Sequence, residues 1–190
     1  VQFNGWPAWD AYRGLSANPM LYIDNRMTTA MMATGPEMAA RAGRLRSGAP
    51  LRLIHSGRLE PMKGAQDLLP VMAALRARGV PATLDIYGTG ALEGAIRADL
   101  GAFEGAVRLH GPVDFETALV PATRQGADIF LSCHRQSDPS CTYIEAMGCG
   151  VAVAGYGNRM WARLAAEAGA GAVAPMGRAS ALAGRIAAWH

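Results

Sequence analysis

From Leu51 onward, short apolar runs alternate with longer segments whose apolar residues recur at helical spacing. The apolar runs predict six strands, at 51–55, 82–87, 107–110, 127–132, 151–155 and 171–174. The segments between and after them predict helices at 64–78, 91–100, 115–125, 159–168 and 179–189, with a short one beginning near Ser140 or Thr142. Such alternation is typical of βαβ units. We therefore predict an α/β, Rossmann-like three-layer domain, with a six-stranded parallel sheet and helices on both faces.

Residues 1–50 lack this regularity and are rich in Trp, Tyr, Pro and Met. A short strand is predicted at 21–23, and helices are predicted at 27–33 and 36–46, on either side of Gly35. The first residue is Val, so we expect the chain to be a piece of a longer polypeptide. In this interpretation residues 1–50 form an interdomain or N-terminal extension, and residues 51–190 form the Rossmann-like domain.

Charge and cysteine content narrow the function classes. The formal net charge is +3, which is too small and too dispersed to indicate nucleic-acid binding but suits a small anionic ligand. No apolar run approaches the ~20 residues that a membrane span needs. The three cysteines are eight positions apart, which matches neither a disulfide framework nor a zinc site, so we expect thiols in a reducing compartment.

The segment HSGRLEPMKG at 55–64 is the first candidate for chemistry. A strand ends there, Gly57 allows a tight turn, and Arg58 and Lys63 stand five positions apart. Lys63 is the sole Lys among 18 basic residues, which argues for a local reason rather than for a solvated surface pair. A bidentate guanidinium and a compact ammonium at the carboxyl end of a strand suit a diphosphate.

The segment GTGALEG at 88–94 follows the second strand and resembles a glycine loop for a nucleotide. Its spacing differs from the dinucleotide fingerprint, and Glu93 occupies the position of the third Gly. Two interpretations stay open: binding of NAD or NADP, or a tight turn beside another ligand.

The segment SDPSCTYIEAMGCG at 137–150 lies between two apolar strands. A helix beginning there points free N–H groups at an anion, and Glu145, one turn later, can bind a ribose. Ser137 or Asp138 can contact a polar part of the ligand. The helix N-terminus also predicts a lowered pKa, and hence reactivity, for Cys141. Because its neighbours are apolar, we expect Glu145 to be buried and to need a partner.

Five segments then carry a resemblance: GRLEPMKG, IYGTG, VRLHGPV, ADIFLSC and IEAMGCGVAVAG. Their order and spacing resemble the C-terminal, donor-binding half of retaining, family 4 glycosyltransferases with the GT-B fold, from about Leu51 to about Pro175. The resemblance implies that residues 51–190 bind a nucleotide sugar, such as a UDP- or GDP-hexose. It also implies a missing N-terminal domain, no metal or other cofactor, and a cytoplasmic protein, with peripheral contact to the inner membrane left open.

The resemblance implies a role for each candidate residue. Arg58 and Lys63 would bind the donor diphosphate and act in catalysis, and Glu145 would bind the ribose. The further positions implied are Gly57, Cys141 and Thr142 at the diphosphate, Ser137, Asp138, Pro139 and Ser140 at the sugar, and Gly88, His110, Gly111 and Val113 at the base.

One position departs from the family pattern. The family has a sugar-binding Glu eight positions before the helix Glu, where this chain has Ser137, followed by Asp138. This change favours one alternative, a non-catalytic nucleotide-binding module. Two further alternatives stay open: a sugar-nucleotide epimerase of the same fold, and a nicotinamide-dependent oxidoreductase, which only the glycine loop favours.

Overall fold

The computed structural model describes residues 1–137 and 139–190. Its strands are β1 (Gln2–Asn4), β2 (Met20–Tyr22), β3 (Leu51–Ser56), β4 (Ala82–Tyr87), β5 (Val107–Gly111), β6 (Ile129–Ser132), β7 (Ala152–Tyr156) and β8 (Ala172–Ala174). Its α-helices are α1 (Trp6–Tyr12), α2 (Gly35–Arg46), α3 (Leu68–Ala77), α4 (Glu93–Asp99), α5 (Val120–Gly126), α6 (Cys141–Gly148), α7 (Arg159–Ala168) and α8 (Ala179–Ala187).

Six of these strands form one parallel sheet in the order β5-β4-β3-β6-β7-β8. The strand order reverses between β3 and β6, which pair at Leu53↔Ile129 and Ile54↔Phe130. At such a switch point the connections leave in opposite directions, so a crevice opens beyond the carboxyl ends of the two central strands. The predicted six-stranded parallel sheet is confirmed, and its topology locates a crevice at the carboxyl ends of β3 and β6.

Two hydrophobic cores lie on opposite faces of the sheet, because successive side chains of a strand point to opposite sides. Leu53 of β3 packs in one core with α3 and α8. Its neighbour Ile54 packs in the other core with α5, α6 and α7. The prediction of three layers, helices–sheet–helices, is therefore confirmed.

The helix predicted from residue 64 begins later, at Leu68, after two short 3-10 turns. Gly64 has a left-handed φ of 71°, and a Cβ there would overlap the carbonyl oxygen of Cys133. The chain must therefore turn at Gly64 before a helix can start. Pro70 falls in the first turn of α3, where its missing N–H breaks no helical hydrogen bond.

The N-terminal segment differs most from its prediction. Residues 27–33 form only a 3-10 turn, Thr29–Met31, where a helix was predicted, and β1 and α1 were not predicted at all. Met27 packs against Gly148 of α6, and the N–H of Ala33 donates to the carbonyl of Gly148. These tertiary contacts, rather than local propensity, fix the segment.

The helix α2 follows the sequence pattern closely. It begins at Gly35, and Thr34 and Glu37 cap it reciprocally in a capping box. No helix in the described part of the chain is both long and apolar enough to cross a membrane.

Candidate functional site

The crevice beyond β3, β4 and β6 holds two adjoining pockets, of about 310 Å³ and about 220 Å³. Four residues line both pockets: Ser56, Gly57, Arg58 and Thr142. We call the pair the carboxyl-edge cleft, and its members the first and the second pocket. Together they are large enough for a ligand with two distinct parts.

Both predicted cations reach this cleft. Arg58 is exposed and lines both pockets, and Lys63 lines the second. The Lys63 ammonium lies 3.0 Å from Nε2 of the buried His134, which accepts its hydrogen bond. The structure thus places two positive side chains beside one pocket, an arrangement that can bind an anion with two phosphoryl groups.

The loop after β4 contains glycines because it packs closely against the turn after β3. A Cβ on Gly88, whose φ is 137°, would overlap the carbonyl oxygen of Gly57. A Cβ on Gly90 would lie 2.6 Å from the carbonyl oxygen of Leu59. The two loops are also joined by a hydrogen bond from the N–H of Leu59 to the carbonyl of Thr89. The glycines let the loop after β4 support the turn that carries Arg58.

The N-terminus of α6 faces the cleft through Cys141 and Thr142. Ser140 holds the N-cap position, but its hydroxyl bonds to the Thr142 hydroxyl and caps no backbone N–H. The prediction of a lowered pKa for Cys141 is wrong. Burial raises the pKa of this thiol, and the nearby Glu145 carboxylate raises it further. Cys141 is therefore a neutral wall of the pocket.

Glu145 is buried, and its partner is Arg26, a residue with no motif in the sequence to mark it. Nε and Nη2 of Arg26 donate to the two carboxylate oxygens at 2.8 and 3.1 Å. The guanidinium also lies 3.7 Å from the ring centroid of Phe115. The hydrogen bond to Glu145 raises the pKa of Arg26. Arg26 lines the first pocket, whereas Glu145, the residue predicted for the ribose, lines neither pocket of the cleft and lies behind Arg26.

The loop before α6 supplies walls of the second pocket through Pro139 and Ser140. Ser137 does not line either pocket. Its hydroxyl accepts a hydrogen bond from the backbone N–H of Arg159 at the start of α7. Asp138, the other predicted sugar contact, lies outside the described residues.

Of the residues predicted at the base, Gly88 and Val113 line the first pocket. His110 does not line it. Its ring stacks on Tyr87 at 4.5 Å, and its Nε2 lies 2.6 Å from Oδ1 of Asp85. Gly111 acts through its backbone, because its carbonyl accepts from the N–H of Gly88.

Sequence reasoning missed Tyr87 and Leu119 in the lining of the first pocket, whereas Thr89 belongs to the glycine loop and Pro112 to the turn 110–113 that the resemblance places at the base. Burial raises the pKa of Asp85, but hydrogen bonds from Arg108 and His110 outweigh it and hold that pKa below its usual value. The resulting carboxylate holds His110 against the Tyr87 ring, and Tyr87 lines the first pocket.

Asn158 connects three elements near the second pocket through its side-chain hydrogen bonds. It is 1% exposed, and its Nδ2 donates to the carbonyl of His134 and to the Tyr143 hydroxyl. Its Oδ1 accepts from the N–H of Trp161 and so caps α7. The one available sequence signal was an Asn directly before a predicted helix.

His55 lines the second pocket and is another residue that sequence reasoning missed, as are Phe130, Ser132 and His134. It is buried, and its Nδ1 lies 3.0 Å from the carbonyl oxygen of Leu131, so Nδ1 carries the proton. Nε2 is buried and has no partner among the described residues. Burial lowers the pKa of His55, so the ring is neutral.

Comparisons with known proteins agree with this architecture. The family model described as "Glycosyl transferases group 1" matches residues 50–189. Among solved structures, HepE of Anabaena in complex with UDP-glucose has a TM-score of 0.73 at 18% identity, covering 99% of this chain and 53% of that one. WaaG, a glycosyltransferase involved in lipopolysaccharide biosynthesis, has a TM-score of 0.73 at 14% identity, with coverages of 99% and 52%.

A third structure, sucrose-phosphate synthase of Thermosynechococcus elongatus, has a TM-score of 0.66 at 21% identity, covering 100% of this chain and 50% of that one. The chain therefore spans about half the length of the structures that it resembles. No curated protein sequence matches it.

Proposed function

Because this chain belongs to the glycosyl transferases group 1 family and has the fold of a C-terminal GT-B domain, we propose that it is the donor-binding half of a retaining, family 4 glycosyltransferase. The donor is a nucleoside diphosphate hexose, such as a UDP- or GDP-hexose; HepE, of the same fold, was solved with UDP-glucose. The acceptor binds to a preceding N-terminal domain of the same polypeptide. This half alone is then catalytically incomplete.

One observation carries the proposal: Arg58, Lys63 and the N-terminus of α6 meet in one cleft at the switch point of a parallel sheet. Two cations and the positive end of a helix dipole match the charge of a diphosphate. A neutral metabolite would gain nothing from this arrangement. The proposal therefore follows from charge and position together.

The cleft divides into two parts that suit the two ends of such a donor. The first pocket offers Tyr87, Val113 and Arg26, whose guanidinium is held by the buried Glu145, to a nucleoside. The second offers Pro139 and polar backbone to the sugar. The diphosphate lies between them, over the residues that line both pockets.

The chemistry that this half contributes is stabilisation of the leaving group. As the bond from the sugar to the diphosphate breaks, negative charge accumulates on the departing nucleoside diphosphate. Arg58 and Lys63 stabilise that charge, which is the role that a metal ion has in other enzymes. The cleft also fixes the orientation of the sugar relative to the acceptor.

Calorimetric titration of the chain with UDP, GDP, ADP and NAD tests the proposal. We expect one nucleoside diphosphate to bind, and Lys63→Ala to weaken it by about tenfold or more, as expected for loss of a charge-assisted contact. Arg97→Ala, an exposed arginine on α4 paired with Glu93, is the matched control and should leave binding unchanged. Binding of NAD alone would contradict the proposal and favour an oxidoreductase.

A second candidate, a non-catalytic nucleotide-binding module, is favoured by Ser137. The family's sugar-binding Glu is replaced there, and the hydroxyl is engaged with the backbone of Arg159. The two candidates differ in the full-length protein: a module binds the nucleotide but does not hydrolyse or transfer the sugar. Release of nucleoside diphosphate from the nucleotide sugar over time distinguishes them.

A further inference from the structure

A separate polar pocket lies at the opposite edge of the sheet, where β3 and β6 begin. It measures about 250 Å³, and its charged lining residues are Glu37, Arg41, Arg44, Arg52 and Arg124. We call it the arginine pocket. It shares no lining residue with the carboxyl-edge cleft, and the function proposed above does not use it.

Positive charge exceeds negative charge around this pocket. One carboxylate, Asp128, is 4% exposed and faces three arginines. Arg44 Nη2 and Arg52 Nη2 donate to its two oxygens, and Arg41 Nε lies 4.0 Å from Oδ1. Arg124 is balanced by Glu37, whose Oε1 lies 3.0 Å from its Nε. Three cations on one anion leave a local excess of two positive charges.

The positive charge of Arg41 is partly compensated by backbone carbonyl groups, which accounts for part of this excess. It is 8% exposed, and its guanidinium donates to the carbonyls of Arg124, Cys149 and Gly150, at the ends of α5 and α6. The negative ends of two helix dipoles thus favour one cation here. Burial lowers the pKa of Arg41, Asp128 raises it, and the neighbouring Arg52 lowers it further.

Donor groups are in excess as well. The Nε atoms of Arg41, Arg44, Arg52 and Arg124 are buried and make no hydrogen bond to any residue that the structure describes. Buried polar groups are ordinarily bonded, so four such donors around one pocket indicate that acceptors are too few there. The side chains of Arg52 and Arg124 are 32% and 21% exposed, which leaves an opening for a ligand.

We propose that the arginine pocket is a binding site for a phosphate-type oxyanion. Guanidinium groups bind phosphate oxygens in a fork, with charge and geometry matched together. A phosphate bound between Arg52 and Arg124 would balance the excess positive charge of the arginines around Asp128 and accept hydrogen bonds from their exposed guanidinium N–H groups. Free phosphate and the headgroup of an anionic lipid present the same oxygens, so both are sources of the ligand.

The test follows the arginine Nε–H resonances of the chain by NMR during titration with sodium phosphate. Because Arg58 and Lys63 can also bind phosphate, both are changed to Gln throughout. We expect saturable shifts at Arg44 and Arg52, and a dissociation constant about tenfold higher in Arg52→Gln. Equal shifts with sodium chloride at the same ionic strength, or no change in Arg52→Gln, would overturn the site.

Two further variants serve as controls for this experiment. Arg97→Gln, on the exposed face of α4, removes one positive charge far from the pocket and should bind phosphate as before. Arg52→Lys keeps the charge but loses the fork, so we expect intermediate binding even if Arg52→Gln fails to fold.

Vesicle flotation then separates the two sources. Flotation with phosphatidylglycerol but not phosphatidylcholine, lost in Arg52→Gln, supports a lipid headgroup in this pocket. Saturable phosphate binding without flotation supports a soluble phosphate. Failure of both probes would overturn the proposal.

Discussion

Glu145 and Arg26 lie 119 positions apart in the chain, yet their side chains form a bidentate ion pair. The sequence predicts that Glu145 is buried and needs a partner, because its helix neighbours are apolar. It does not predict the partner, because Arg26 sits in an irregular segment and differs in no local way from the other arginines. Residue type thus reveals which groups need compensation, and only the fold reveals what supplies it.

Replacing Arg26 with Ala should destabilise the chain by about 1–2 kcal/mol, because it leaves a buried carboxylate without its donors while the arginine itself is half exposed. Arg26→Lys keeps one charge–charge contact and should lose less. Urea denaturation measures both differences. Equal stability of Arg26→Ala and the parent chain would show that the pair contributes nothing.

His55 predicts how stability changes with pH. Burial lowers its pKa in the folded chain below the ordinary value of 6.5. As the pH falls below about 6.5, the unfolded chain binds a proton that the folded chain excludes, so the free energy of unfolding decreases until the pH reaches the lower folded pKa. The slope from this one group is up to roughly 1.4 kcal/mol per pH unit.

The variant His55→Phe keeps an aromatic ring beside Phe130 and removes the titrating group. We expect its free energy of unfolding to vary less steeply with pH between 6.5 and mildly acidic values. His190→Phe, an exposed change at the last residue, should keep the parent slope. An unchanged slope in His55→Phe would contradict a buried neutral imidazole.

Individual strands and helices were largely predictable from the sequence. β4 and α7 have the predicted boundaries, because their apolar spacing is unbroken from end to end. α3 starts four residues later than the pattern suggested, since the close approach of Gly64 to Cys133 is a tertiary constraint. Glycines therefore marked positions where the backbone turns or packs closely. The sequence alone could not tell whether such a glycine serves ligand binding or the packing of one loop against another.

Gly88 and Gly94 are a matched pair of glycines within the same motif. We expect Gly88→Ala to destabilise the chain by roughly 2 kcal/mol or more and to weaken nucleotide binding, because its Cβ would overlap Gly57 and push the Arg58 turn aside. A Cβ on Gly94 meets nothing within 4 Å in α4, so Gly94→Ala should stabilise by about 0.5–1 kcal/mol. Thermal denaturation and calorimetry measure both, and similar effects of the two changes would contradict the packing role.

Across the whole molecule, the regular region from Leu51 was predictable, whereas within the first 50 residues only α2 and β2 were. In this region the alternation of apolar strands with helical segments predicts a parallel sheet from local sequence, without knowledge of the tertiary contacts. The N-terminal segment instead depends on distant contacts, such as Met27 with Gly148 and Arg41 with the carbonyl of Gly150. The candidate site shows the same division: the motifs after β3 and before α6 were visible, whereas Arg26 was not.

Removing residues 1–33 should therefore destabilise the sheet domain itself, by about 3–5 kcal/mol, because it uncovers the core around Met31 and leaves Glu145 unpaired. Denaturation of the shortened and full chains under the same conditions measures the difference. Equal midpoints would mean that the segment only rests on the domain.

The reversal of strand order between β3 and β6 also has a consequence for how the chain folds. Each half of the sheet is continuous in sequence, β3 to β5 and β6 to β8, whereas the seam between them joins Leu53 to Ile129. Contacts over such long stretches of chain form late, since loop closure must precede them. We expect the halves to behave as separate cooperative units in hydrogen exchange, and a nucleotide lying across the seam to slow their opening relative to each other.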